Sequence, residues 1–194
     1  MQSIWIVDFG SQYTQLILRK LRELKYSSEI LTPEMAFEKL KNTKPKAIIL
    51  SGGPQSVFED QTDYSPFFSD PSLPVLGICY GMQLIGQYFK GKVEKGTVGE
   101  YGEAILEFEN KFSIKDIPAK FKVWMSHADH VSILPSDFET ILKSHNGLLA
   151  GIRSKIRPIM GLQFHPEVVH SDYGTEVFRF FLDEIAKISS EWSD

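Results

Sequence analysis

The sequence predicts an α/β fold: a mainly parallel open sheet flanked by helices, with a small antiparallel region at one edge. Three observations predict it. Over residues 1–90, short apolar runs alternate with helical patterns, the order produced by a parallel sheet covered by helices. From 91 to 151 the runs turn polar and only loosely alternating, as antiparallel edge strands do. After residue 158 a buried strand and an amphipathic helix return.

Ile4, Trp5, Ile6 and Val7 read as a buried first strand ending in the turn Asp8-Phe9-Gly10-Ser11. Residues 14–24 carry Leu16, Ile17, Leu21 and Leu24 at helical spacing. A second short strand covers 28–31, and Pro33 suits the first position of a helix running to about residue 41. Residues 47–50 form a third buried strand that ends in Ser51-Gly52-Gly53-Pro54. The Ser-, Asp- and Pro-rich stretch 60–74 reads as a surface loop, not a domain boundary. A fourth strand, 74–78, ends in Cys79-Tyr80-Gly81 and a helix follows over 82–89. Residues 91–108 and 121–151 read as the antiparallel strands, with Trp124 and Met125 taken as core packing. The strand 158–164 ends at His165-Pro166-Glu167, and a helix over 175–188 places Val177, Phe178, Phe181, Leu182 and Ile185 on one side.

Composition bounds the function. The chain has 194 residues, which suits one α/β domain spanning 1–194 and a sizeable core. Net charge is −4 and no block of Lys or Arg stands out, so neither nucleic acid nor an anionic membrane is an expected partner. A single cysteine excludes an intramolecular disulfide and a cysteine-rich zinc site. The first residues lack a basic segment before an apolar one, and no apolar run approaches the ~18 residues of a spanning helix. The expectation is a soluble, cytoplasmic domain.

The one cysteine sits in Gly77-Ile78-Cys79-Tyr80-Gly81, after an apolar strand and before a helix. That is the setting of a nucleophile elbow with Cys in place of Ser. Flanking glycines let strand and helix approach closely, the helix dipole favours thiolate, and the N–H of Tyr80 points where an oxyanion would form. The alternative is a buried structural cysteine. A nucleophilic thiol needs a base and an orienting group. Of the five histidines, His165 ends a predicted parallel strand and so shares the carboxyl edge with Cys79, with Glu167 two residues on. The alternative is a solvated strand end. His145 and His170 read as surface residues. His127 and His130 flank Asp129 without a third metal ligand, so no metal site is expected. In the loop after the third strand, Gly52 and Gly53 could present backbone N–H groups to an anion. No phosphate-binding lysine follows, and the preferred reading is a second oxyanion donor at Gly53, against an ordinary strand-to-helix turn.

Three separated segments, Ser51-Gly52-Gly53-Pro54, Gly77-Ile78-Cys79-Tyr80-Gly81-Met82-Gln83 and Gln163-Phe164-His165-Pro166-Glu167, resemble the signature of the class I (triad) glutamine amidotransferases. Asp8-Phe9-Gly10-Ser11-Gln12-Tyr13, Gly99-Glu100-Tyr101-Gly102, the 123–129 segment and Tyr173-Gly174 are similar to the glutaminase domain or subunit of GMP synthetases. The resemblance implies glutamine hydrolysis by Cys79, His165 and Glu167, with the oxyanion held by the N–H groups of Gly53 and Tyr80. It implies substrate contacts from Gly52, Gln83, Ser126, Ala128 and Asp129. Gln83 lies one helical turn after Cys79, and its alternative is a polar helix residue. Where the family often has Gly, Ala128 stands.

The resemblance implies L-glutamine as substrate, and its implied partner is a synthetase (ATP pyrophosphatase) domain or subunit. No cofactor is expected here, and ATP and Mg are expected on the synthetase. The last residues, Glu191-Trp192-Ser193-Asp194, carry no helix stop, and the expectation is a chain that continues into or serves that partner. The alternatives are a glutaminase for anthranilate or CTP synthesis, a cysteine hydrolase of the α/β-hydrolase type, and a non-catalytic regulatory module. The hydrolase fold normally places its acid before the histidine, whereas Glu167 follows His165.

Overall fold

The structure is a computed structural model describing residues 3–96, 100–127 and 129–190, and for residues 100, 101, 126 and 127 only the backbone. Chain order is β1 (Ile4–Val7), α1 (Thr14–Glu23), β2 (Ser28–Leu31), α2 (Pro33–Leu40), β3 (Ala47–Leu50), α3 (Ser65–Phe68), β4 (Val75–Ile78) and α4 (Tyr80–Tyr88). The antiparallel region then runs through β5 (Lys92–Glu94), β6 (Glu100–Phe108), β7 (Lys120–His127), β8 (His130–Ile133), β9 (Phe138–Ser144) and β10 (Leu149–Ser154). The chain returns through β11 (Ile159–Leu162) to α5 (Gly174–Phe180).

Nine strands make one sheet in the order β2-β1-β3-β4-β11-β10-β9-β6-β7, and β5 pairs with β8 apart from it. The first five are parallel, as expected. The other four extend one edge antiparallel. Strands β1, β3, β4 and β11 are buried at every residue, because helices cover both faces. Alternation sends Ile4, Ile6, Ile49 and Leu76 into a core shared with Ile17, Leu21, Phe178 and Phe181. Trp5, Val7, Ile48 and Leu50 face the opposite core with Tyr80, Leu84 and Ile85. Helix α2 starts where Pro33 predicted, and the Thr32 hydroxyl caps it by accepting from the Met35 N–H at 3.1 Å.

Three expectations change. The 60–74 stretch is not all surface loop: it folds into α3, and Phe67 and Phe68 are fully buried against Phe37 and Tyr88. The C-terminal helix is not α-helical throughout. After α5 it widens into a π-helical turn at Phe181–Ile185, where the Ala186 N–H reaches the Phe181 carbonyl, and Phe181 and Leu182 stay in the core. Met125 is core, but Trp124 is only half-buried and lies against the His170 ring, because neighbours on a strand face opposite sides. No helix among the described residues is long and apolar enough to cross a membrane.

Candidate active site

The site is built where β3, β4 and β11 end side by side. Leu162 pairs with Ile78 in the parallel register, and the Cys79 N–H continues the ladder to the Leu162 carbonyl at 2.7 Å. Helix α4 starts at the next residue, with the Gln83 N–H on the Cys79 carbonyl at 3.1 Å. Cys79 therefore takes φ 55° and ψ −106°, a region non-glycine residues rarely enter, at a cost of about 1–3 kcal/mol. The flanking glycines explain why the turn can be this sharp. A Cβ on Gly77 would lie 2.5 Å from the Gly81 backbone, and one on Gly81 would lie 2.5 Å from the Leu50 carbonyl. The elbow expected from the sequence is present.

His165 comes off the end of β11, buried to 4% exposure, with Nδ1 2.6 Å from Glu167 Oε1. Burial alone pulls the imidazole pKa down, but hydrogen bonds to Cys79 and Glu167 and the Glu167 charge outweigh it and push it up to about 10. Cys79, His165 and Glu167 are thus brought together. Backbone contacts fix the imidazole in place. The His165 N–H donates to the Trp124 carbonyl at 3.1 Å, and the Ser171 hydroxyl donates to the His165 carbonyl at 2.7 Å while accepting from the Trp124 N–H. The Tyr13 ring meets the imidazole edge-on at 5.2 Å.

Gly52 packs against both residues: a Cβ there would sit 3.0 Å from His165 Cε1 and 3.5 Å from Cys79 Cβ. Gly53 is pressed on the Phe9 carbonyl, which a Cβ would approach to 2.4 Å. Gln83 is buried, and its Nε2 donates to the Asp129 carbonyl at 3.0 Å, while Asp129 Oδ2 accepts from Ser56 at 2.7 Å. Ala128 and the Ser126 side chain fall outside the described residues, as do Gly99, the Tyr101 and His127 side chains and residues 191–194. Among the described residues no group of three or more His, Cys, Asp and Glu side chains gathers as a metal site.

Three neighbours carried no role in the sequence reading. Gln163 is fully buried, and its Nε2 lies 3.6 Å from Cys79 Sγ. Alternation carried on past the end of β11 is the available signal, since it puts Gln163 and His165 on one side. Asp60 and Ser171 gave no signal, because their partners are remote in sequence.

Residues 5–185 match the family described as "Glutamine amidotransferase class-I". The chain belongs to that family. This amidotransferase is 45% identical over 193 residues to a protein of Thermosipho melanesiensis named GMP synthase [glutamine-hydrolyzing], covering 99% of this chain and 38% of the relative. It is 44% identical to the protein of the same name in Macrococcus caseolyticus, covering 98% of this chain and 37% of that one. The amidotransferase chain therefore spans well under half the length of these curated relatives. Among solved structures, a putative GMP synthase subunit of Thermoplasma acidophilum superposes with a TM-score of 0.83 at 33% identity, over 93% of this chain and 92% of that one. A Thermotoga maritima glutamine amidotransferase shares the fold, with a TM-score of 0.65 at 22% identity over 96% of this chain and 84% of that one.

Proposed function

We propose that this domain hydrolyses L-glutamine to glutamate and ammonia through a Cys79 thioester, and passes the ammonia to a synthetase domain or subunit that converts XMP to GMP with ATP. The observation that carries the reading is the strained Cys79 at a strand end beside a buried His165–Glu167 pair. His165 takes the thiol proton, and the sulfur attacks the side-chain amide carbon. The carbonyl electrons move to oxygen, where the N–H groups of Gly53 and Tyr80 hold the charge, an arrangement worth ~2.7–4 kcal/mol per donor. As the C–N bond breaks, His165 gives its proton to nitrogen and ammonia leaves. Water then attacks the thioester with His165 as base, the C–S bond breaks, and the sulfur is reprotonated.

A pKa near 10 favours the imidazolium, the form that must protonate the leaving nitrogen. Glu167 orients the ring. Gly52 and Gln83 contact the glutamine, and the backbone around Ser126, Ala128 and Asp129 holds its amino-acid end. No cofactor enters these steps, and ATP and Mg act on the synthetase. The names of the relatives support XMP amination over anthranilate or CTP synthesis.

The test is Cys79→Ala in the enzyme assembled with its synthetase. Glutamine-dependent synthesis should fall to background while ammonia-dependent synthesis persists. Hydrolysis retained without the thiol would sink the reading.

A further inference from the structure

The loop between β3 and α3 carries Gly53, while Tyr80 begins α4, so the two proposed oxyanion donors come from separate segments of chain. Residues 51–64 form no helix or strand, and besides backbone bonds such as Ser51 N–H to the Val7 carbonyl and Glu59 N–H to the Ser56 carbonyl, side-chain bonds hold the loop. Three of these meet at Asp60. Its Oδ2 accepts from the Tyr80 hydroxyl at 2.5 Å and also from the Tyr64 hydroxyl, and its Oδ1 accepts from the Thr62 N–H at 2.9 Å. Tyr80 is 1% exposed, and its ring lies 5.2 Å from that of Phe9. Phe9 also packs edge-on against Tyr64 at 5.6 Å, and its carbonyl abuts Gly53. One carboxylate and one phenyl ring thus connect the Gly53 loop to the first residue of α4.

We propose that Asp60 is a positioning residue of the oxyanion hole: by holding Tyr64 and Tyr80 together, it fixes the Gly53 and Tyr80 N–H groups at the separation the tetrahedral intermediate needs. The inference rests on the thiol mechanism given above. Tyr80 opens α4, so its N–H has no partner within the helix and is available to an anion. Its direction depends on the first-turn backbone, and the phenol bonded to Asp60 is the handle that sets it. The far side of the same loop is tied separately, by Ser56 to Asp129, so loss of the Asp60 clamp loosens the donors without releasing the whole loop.

The experiment measures glutaminase kinetics of Asp60→Ala, Tyr80→Phe and the double variant in the assembled enzyme, beside Cys79→Ala. Each single variant should lower kcat at least about tenfold with KM for glutamine held within about twofold, since the loss falls on the transition state. The double variant should be no worse than the more impaired single one, because both break one unit. Alkylation of Cys79 by iodoacetamide, which forms no oxyanion, should stay within about twofold of wild type.

Unchanged kcat in either single variant, additive losses in the double, or alkylation falling in step with kcat would overturn the proposal. If Asp60→Ala does not fold, Tyr80→Phe removes a single oxygen and decides the matter. Hydrolysis surviving in Cys79→Ala would sink the thiol mechanism itself. A dead Cys79→Ala beside a fully active Tyr80→Phe would sink only the Asp60 clamp.

Discussion

In the parallel half of the sheet, β1, β3, β4 and β11 are four residues long and buried at every position. In the antiparallel half, β6 and β7 run nine and eight residues, and Ile105 stands 42% exposed among outward carboxylates and lysines. The parallel half contributes Gly53, Cys79, Tyr80 and His165, all at its carboxyl ends. The antiparallel half contributes backbone: the Trp124 carbonyl that takes the His165 N–H, and the Asp129 carbonyl that takes Gln83. Close packing on both faces is what lets three strand ends converge within ångströms. One-sided burial suffices to brace them.

The contrast is sharpest at a glycine of the elbow. Gly81→Ala would drive a Cβ to 2.5 Å from the Leu50 carbonyl and 2.7 Å from its Cβ, both within the packed core. A loss of about 1–3 kcal/mol in denaturant unfolding is expected, together with impaired hydrolysis. An unchanged midpoint would mean the strand–helix contact is looser than the parallel half requires.

The second effect is pH-dependent and again belongs to the parallel half. The folded His165 pKa is raised from 6.5 to about 10, so its charged form favours the folded state. That stabilisation is complete below pH 6.5 and lost as pH rises through about 10. The stability gap between wild type and His165→Asn should therefore narrow across that window. A gap that widens with pH would reverse the assigned direction.

The smallest effect lies on the antiparallel edge. Lys120 sits 4.0 Å from Glu107, both more than half exposed. Lys120→Ala should shift stability by no more than about 0.5 kcal/mol and leave glutamine hydrolysis at wild-type level. A larger change would give this edge a role beyond bracing.

The same contrast explains what could be read from the chain. Strands expected at 4–7, 47–50, 74–78 and 158–164 appear at Ile4–Val7, Ala47–Leu50, Val75–Ile78 and Ile159–Leu162, because a strand buried on both faces leaves an unbroken apolar run. Cys79 was legible through its glycines and His165 through its place at a strand end. Phe67 and Phe68 were not, since the Ser-, Asp- and Pro-rich residues around them read as loop. Nor was Asp60, one of several acidic residues in that stretch, whose partner Tyr80 is 20 residues away. Ser171 was hidden in the same way, its contact to Trp124 spanning 47 residues. Local pattern marks the groups at strand ends, but not the side chains that clamp one end to another.

If the strand ends make Cys79 a nucleophile assisted by His165, a diazoketone analogue of glutamine should capture it, since the thiol can displace nitrogen gas from the protonated diazo carbon and form a carbon–sulfur bond. Incubated with the assembled enzyme and mapped by peptide mass, the label should fall on Cys79 alone and outpace labelling of His165→Ala by at least about 100-fold. Label on another residue, or equal labelling of His165→Ala, would refute those roles for Cys79 and His165.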